Sequence, residues 1–133
     1  MYVMLDPLET APLEALIPFE KAQHLLFFVG LDDKNWPAPD FIDAAERRLK
    51  ALGCNNYEIV RYPGCGHLIE PPYAPVTLVS YFNFLGHRDI VDWGGSLREH
   101  QRAQEHHWPK LLQFLDKYVG SQTTSHQFLQ SNL

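Results

Sequence analysis

The sequence predicts an α/β fold in which two parallel strands are joined by a crossover helix. Three observations predict it: an apolar run at 25–30, a helical periodicity at about 40–52 and an alternating run at 57–62. A strand, a helix and a second strand in this order form a βαβ unit, whose two strands lie parallel in one sheet. A second helix is expected at about 97–119. With 133 residues, the sequence supplies one domain's worth of chain.

The first strand is a continuous apolar run that ends in glycine. Residues 25–30 read Leu-Leu-Phe-Phe-Val-Gly without alternation, which is typical of a strand buried on both faces. Asp32 and Asp33 follow at its carboxyl end, where carboxylates are costly unless they find partners. A turn or a helix cap is the plainer interpretation of these two residues.

The helical segment follows at about 40–52. Asp40 is expected to cap its start and Gly53 to end it. Its apolar positions recur at helical spacing and predict one buried face, made of Phe41, Ala44, Ala45, Leu49 and Leu52.

The second strand, at 57–62, ends in a tight turn that carries a histidine. Pro63 removes a hydrogen-bond donor, and the glycines on either side of Cys65 allow a sharp turn. His67 therefore projects from the carboxyl end of the strand, where open α/β sheets keep their chemistry. A purely structural loop histidine is the alternative.

Asp33 and His67 are the candidate catalytic residues. Both follow parallel strands at the same edge of one sheet, and neighbouring strands lie ~4.8 Å apart, so the two side chains can share a hydrogen bond. A carboxylate that orients an imidazole base makes up two members of a nucleophilic triad. Asp33 is preferred to Asp32 because position 33 has already left the strand, whereas Asp32 is better placed to cap or to form a nearby ion pair.

The third triad member is absent from the sequence. No Gly-x-Ser-x-Gly motif or cysteine equivalent occurs in the 133 residues. In α/β-hydrolases the order is nucleophile, acid, histidine, so we expect the nucleophile before residue 1 and interpret the chain as the carboxyl-terminal portion of such a fold. Its incomplete sheet would expose an edge, which an upstream segment or a second chain would cover.

Composition argues against several other classes. The net charge is −5 without a basic cluster, which argues against nucleic-acid binding. No apolar run is long enough for a membrane span. The two cysteines, Cys54 and Cys65, lack a metal-binding spacing and suggest a reducing, intracellular compartment.

The carboxyl-terminal third is less informative. Residues 74–96 lack a clean period, and we expect them to pack under the terminal helix, with contact to an acyl chain as the alternative. Ser96 should cap that helix, and Pro109 should kink or split it. A metal site is not expected because the histidine spacing does not repeat the helical step, so a solvated face is predicted for His100, His106 and His107.

Five segments resemble the acyl-coenzyme A thioesterase and bile acid-CoA:amino acid N-acyltransferase family. They are Ile-Pro-Phe-Glu-Lys-Ala at 17–22, Val-Gly-Leu-Asp-Asp-Lys-Asn-Trp at 29–36, Tyr-Pro-Gly-Cys-Gly-His-Leu-Ile-Glu-Pro-Pro-Tyr at 62–73, Trp-Gly-Gly at 93–95, and Ala-Gln-Glu with a later Trp at 103–108. The run Asp-Lys-Asn-Trp at 33–36 is closer to the thioesterases, and the histidine motif at 62–73 is closer to the acyltransferase.

The resemblance implies a function and a domain plan. Residues 1–120 would be part of an α/β-hydrolase domain and 121–133 a polar tail. Asp33 would be the triad acid and His67 the base, acting on an acyl-CoA substrate by hydrolysis or by transfer to an amino acid; a non-catalytic product is the third alternative. Coenzyme A is part of the substrate, so no separate cofactor is implied. The final Ser-Asn-Leu is similar to a peroxisomal address, which places the protein in the peroxisome or the cytoplasm.

Overall fold

A computed structural model describes residues 15–84 and 86–120, which form a small mixed α/β unit with one parallel and one antiparallel sheet. The predictions for the tail at 121–133 and for its final tripeptide lie outside these residues. The elements are a 3-10 turn at Phe19–Lys21, β1 at Leu25–Gly30, α1 at Ala38–Ala51, β2 at Tyr57–Tyr62, β3 at Val79–Phe84, β4 at His87–Asp92 and α2 at Leu97–Tyr118.

Strands β1 and β2 pair in parallel, as predicted. The register runs from Leu25 opposite Tyr57 to Gly30 opposite Tyr62, so both strands end at the same edge. Burial on both faces, expected for all of β1, is reached only at Val29 and Gly30, whereas positions 25–28 are half-buried. The reason is that the sheet has only two strands in the described part of the chain, so each strand keeps an unpaired side.

Helix α1 begins two residues earlier than predicted. The N-cap residue is Pro37, and no side chain makes a capping hydrogen bond there. The prediction that Asp40 caps the helix is therefore wrong. Asp40 instead lies in the first turn, where its negative charge interacts favourably with the positive end of the helix dipole. The buried residues are Ile42 and Leu49, seven apart and therefore on one face, while Leu52 lies beyond the helix and is exposed.

Helix α2 starts where predicted, and Ser96 caps it by accepting a hydrogen bond from the Glu99 backbone N–H at 3.4 Å. Pro109 lies inside the helix without splitting it. The prediction of a solvated histidine face is wrong for His100 and His107, which are 1% and 4% exposed. These two rings face the protein interior together with Ala103 and Gln104.

The core lies where α2 meets the end of β2. Its buried residues are Tyr62, Cys65 and Ala103, surrounded by Phe28, Val60 and Ile69. Because Cys65 is part of this core, the turn that carries His67 is anchored two residues before the histidine.

The strands at Val79–Phe84 and His87–Asp92 form a β-hairpin that was not predicted from the sequence. Strands β3 and β4 pair antiparallel, from Val79 opposite Asp92 to Phe84 opposite His87. Four of its apolar side chains are more than half exposed, so the expected packing under the terminal helix is wrong for Val79, Tyr81, Phe82 and Ile90. Neither helix of the described residues is long and apolar enough to cross a membrane.

Candidate active site

The loops that follow β1 and β2 are hydrogen-bonded to each other. The Leu31 N–H donates to the Tyr62 carbonyl at 3.0 Å, and the Asp32 N–H donates to the Cys65 carbonyl at 2.9 Å. Backbone hydrogen bonding between the two segments therefore continues past the ends of both strands. This continuation carries Asp33 and His67 to the same place.

The predicted contact between Asp33 and His67 is present. Asp33 Oδ2 lies 2.8 Å from His67 Nδ1. The other carboxylate oxygen, Oδ1, accepts hydrogen bonds from the backbone N–H groups of Asn35 and Trp36, both at 2.9 Å. The Asp33 side chain is only 3% exposed, whereas that of His67 is 29% exposed. The carboxylate is thus fixed in place and the imidazole reaches solvent.

Asp32 has a different set of partners. Its carboxylate forms an ion pair with Lys34 at 2.6 Å and accepts a hydrogen bond from the Gly95 N–H at 3.2 Å. The hydrogen bond from Lys34 holds the pKa of Asp32 below its ordinary value. Asp32 therefore forms the nearby ion pair that the sequence suggested, and Asp33 is the residue that meets the imidazole.

Two tryptophans flank the His67 ring. The ring is stacked on Trp36 with centroids 6.2 Å apart, and on Trp93 with centroids 5.4 Å apart. Trp93 is itself oriented by its indole N–H, which donates to Ser80 Oγ on β3 at 2.9 Å. Neither tryptophan was predicted to be a site residue. The signal for Trp36 was its position three residues after Asp33.

Residues 93–95 form a third side of the site, next to the loops that follow β1 and β2. The His67 N–H donates to the Trp93 carbonyl at 2.8 Å, and Asp33 forms an isolated antiparallel bridge with Gly94. Gly66 packs so closely on this segment that a Cβ at position 66 would overlap the Gly94 carbonyl. An aromatic residue followed by two glycines was the sequence signal for such a close approach.

Cys65 is close to the site but is not suited to be a nucleophile. It is free and fully buried, and burial, followed by the nearby Asp33 charge, raises the pKa of its thiol to about 12. A thiol that stays protonated is a poor nucleophile. Among the described residues, no group of three side chains of the metal-binding types is arranged to hold a metal ion.

The arrangement can support proton transfer at one nitrogen of His67. Nδ1 is engaged by Asp33, which leaves Nε2 as the nitrogen directed to a reacting group. A buried carboxylate in this position stabilises the positive charge that the ring gains when it accepts a proton.

The chain is similar in sequence to thioesterases and to an acyltransferase. The chain is 40% identical over 119 residues to human acyl-coenzyme A thioesterase 1, covering 89% of this chain and 28% of the relative. It is 36% identical over 126 residues to human bile acid-CoA:amino acid N-acyltransferase, covering 94% and 29%. Mouse peroxisomal succinyl-coenzyme A thioesterase is 38% identical over 108 residues, covering 80% and 25%. The chain thus spans less than a third of the length of these relatives.

A family profile described as "BAAT / Acyl-CoA thioester hydrolase C terminal" matches residues 1–121, which is most of the chain. The chain belongs to the BAAT / acyl-CoA thioester hydrolase C-terminal family.

Proposed function

We propose that this chain supplies the acid and the base of a triad that hydrolyses acyl-CoA thioesters. The observation that carries the proposal is the 2.8 Å contact between Asp33 Oδ2 and His67 Nδ1, which engages one nitrogen of a partly exposed ring and leaves Nε2 for the reaction. The names of the thioesterase relatives support the reaction class. The order of the two residues, an acid after one parallel strand and a histidine after the next, supports the carboxyl-terminal part of an α/β-hydrolase domain over 1–120.

The chemistry follows from the two nitrogens of one ring. His67 Nε2 takes the proton of a Ser or Cys nucleophile that lies outside these 133 residues, and the nucleophile attacks the thioester carbonyl. The coenzyme A sulfur leaves and receives that proton from His67. A water molecule, deprotonated by the same nitrogen, then releases the fatty acid and restores the nucleophile. Asp33 orients the ring and stabilises its charged form in both steps.

Transfer to an amino acid is the second candidate activity. The chain matches the bile acid-CoA:amino acid N-acyltransferase over 94% of its length at 36% identity, close to its identity with the thioesterases. In this reaction an amine takes the place of water, and His67 accepts a proton from the amine. An assay with glycine or taurine present separates the two: new amide product indicates transfer, and free acid alone indicates hydrolysis.

A hybrid enzyme provides the decisive test. Residues 1–121 replace the matching segment of human acyl-coenzyme A thioesterase 1, and release of free coenzyme A is followed with a thiol reagent. The hybrid is expected to hydrolyse acyl-CoA, and His67→Ala is expected to lower kcat by ~10⁴-fold or more. Activity of the His67→Ala hybrid near that of the unchanged hybrid would contradict the proposal.

The unmodified chain tests the non-catalytic alternative. If the 133 residues alone catalyse multiple turnovers of acyl-CoA, the chain is a catalyst without an added nucleophile segment. If they show none while the hybrid is active, the nucleophile comes from elsewhere.

Peroxisomal or cytoplasmic localisation stays a prediction. The relative with a peroxisomal name supports the first alternative. A fluorescent protein fused before residue 1 should colocalise with peroxisomes and lose this pattern when the last three residues are removed. A diffuse pattern with both versions would support the cytoplasm.

A further inference from the structure

One of the two buried histidines of α2, His100, bonds to the backbone on both sides of His67. His100 lies in the first turn of α2 and is 1% exposed. Its Nδ1 accepts a hydrogen bond from the Gly66 backbone N–H at 3.2 Å, and its Nε2 bonds to the Leu68 carbonyl. The two bonded backbone groups belong to the residues immediately before and after His67.

The chemistry of these partners fixes the proton position on the His100 ring. A backbone N–H only donates and a carbonyl only accepts, so Nδ1 must be the bare nitrogen and Nε2 must carry the hydrogen. Both nitrogens of the buried ring are then satisfied, which removes the cost of burying them. The Cys65 sulfur, 3.7 Å from Nδ1, is the remaining polar neighbour of this nitrogen.

Three consecutive residues of the loop are therefore held by hydrogen bonds. Gly66 and Leu68 bond to His100, and the N–H of His67 between them bonds to the Trp93 carbonyl at 2.8 Å. The start of α2 is joined to the same turn once more, because the Ser96 N–H donates to the Gly64 carbonyl at 2.8 Å. The direction in which the His67 side chain leaves the backbone is set by these contacts.

We infer that His100 is a positioning residue that holds His67 in hydrogen-bonding reach of Asp33. The inference rests on the proposed function for its catalytic consequence, but the positioning itself is a property of this chain. His100 touches the loop backbone and acts on the reaction only through His67.

Nuclear magnetic resonance of the ¹⁵N-labelled chain tests the positioning without any assay of turnover. In the wild-type protein, His100 should show the Nε2–H tautomer, and the His67 Nδ1–H proton should be visible as a resonance shifted downfield by Asp33. In His100→Leu, this His67 resonance should disappear, and the Gly66 and His67 amides should exchange at least ~10-fold faster.

Three further variants separate positioning from general packing. His100→Asn keeps a group near Nδ1 and should preserve the bond to Gly66, whereas His100→Gln keeps a group near Nε2 and should preserve the bond to Leu68. Each should restore part of the His67 signal. His106→Asn changes a histidine of the same helix whose ring bonds to the Tyr62 hydroxyl and not to the loop, and it should leave the His67 resonance unchanged. If His100→Leu does not fold, the tautomer of the wild-type ring and these partial variants still decide the question.

The inference and the proposed function fail in different ways. In the hybrid enzyme, His100→Leu should lower kcat by ~10²-fold with little change in KM. An unchanged His67 resonance in folded His100→Leu, or a His100 ring protonated on Nδ1, would overturn the positioning role. A fully active His67→Ala hybrid would instead overturn the proposed function and leave the resonance result standing.

Discussion

The amino ends of β1 and β2 form one edge of the sheet, the amino edge, and their carboxyl ends form the other, the carboxyl edge. Each edge carries a histidine, and the two rings differ in whether they contact a carboxylate. His24 precedes β1 at the amino edge and stacks on Tyr118 with centroids 3.7 Å apart. His67 follows β2 at the carboxyl edge and stacks on Trp36 and Trp93. Within residues 15–84 and 86–120, His67 but not His24 also meets a buried carboxylate. Aromatic contact positions a ring, but a carboxylate on one nitrogen is what prepares the other nitrogen for proton transfer.

The amino edge has a cleft of its own but less specific chemistry. A cleft of about 300 Å³ opens there between the strands and α2. Its carboxylate, Glu58, is more than half exposed and pairs with the Lys110 ammonium at 2.6 Å. An exposed ion pair of this kind contributes little to the free energy of unfolding, and this one does not orient an imidazole ring. The volume of a cleft is therefore a poorer guide to the site in this molecule than the hydrogen bonds of its side chains.

Removing the charge of a carboxylate at each edge should give the largest contrast. In the hybrid enzyme, Asp33→Asn is expected to lower kcat by ~10³–10⁴-fold because the ring loses the group that fixes its orientation and stabilises its charge. Glu58→Gln, at the amino edge, should leave kcat within ~2-fold. Steady-state kinetics measures both variants. Equal losses of kcat would contradict the proposal that only the carboxyl edge takes part in catalysis.

The second largest difference is expected in the reactivity of the two cysteines, because Cys54 lies near the amino edge and Cys65 near the carboxyl edge. Cys54 follows α1 and is half-buried, whereas Cys65 is fully buried with the pKa of its thiol raised to about 12. An aromatic disulfide reagent at pH 8 should modify Cys54 at least ~100-fold faster than Cys65. Cys54→Ser should remove the fast phase. A fast reaction that remains in this variant would show that the turn carrying His67 opens readily.

A methyl group added to one glycine at each edge should have unequal effects on stability. Gly66→Ala places a Cβ against the Gly94 carbonyl and should lower the free energy of unfolding by about 3 kcal/mol. Gly53→Ala, in open space after α1 but with φ of 70°, should cost only about 1 kcal/mol. Urea unfolding followed by circular dichroism measures both. Similar losses would mean that the close approach at Gly66 is not tight in solution.

The smallest effect expected is a pH dependence of stability at alkaline pH. Burial raises the pKa of Cys65 from 9.0 to about 12, so the folded state retains its proton while the unfolded state loses it. The stabilisation is complete below pH 9 and is lost as the pH rises toward 12; at pH 10 the loss is on the order of 1 kcal/mol.

The variant Cys65→Ala should therefore show a shallower fall in the free energy of unfolding between pH 8.5 and 10 than the wild-type protein. The fall in the free energy of unfolding that remains in Cys65→Ala above pH 10 has a second source, because burial also raises the pKa of Tyr62 to about 12. Identical slopes in the two proteins would contradict the assigned burial of the thiol.

The sequence was sufficient for β1, α1 and β2 because their signals are local. A continuous apolar run, a helical period and an alternating run each require only neighbouring residues. The parallel pairing of the strands follows from their order, and it brings Asp33 and His67 together. The choice of Asp33 over Asp32 could also be made locally, because it depends on how far each residue has left the strand.

The remainder depends on contacts distant in sequence. The buried state of His100 is fixed by Gly66 and Leu68, which lie 34 and 32 residues before it, and no local pattern reveals such partners. Trp93 enters the site only because the hairpin at 79–92 returns the chain to the loops of β1 and β2. The hairpin itself was missed because its apolar residues do not alternate cleanly and more than half of the surface of several is exposed.

The most direct test of the account is the hydrogen on His67 Nδ1. Proton and nitrogen resonance of the labelled chain should show this nitrogen protonated and donating to a carboxylate, with Nε2 bare in the neutral ring. The signature should vanish in Asp33→Asn and persist in Asp32→Asn. A neutral His67 ring protonated on Nε2, or a signature that is the same in Asp33→Asn as in the wild-type protein, would contradict the assignment of Asp33 and His67 as one catalytic unit.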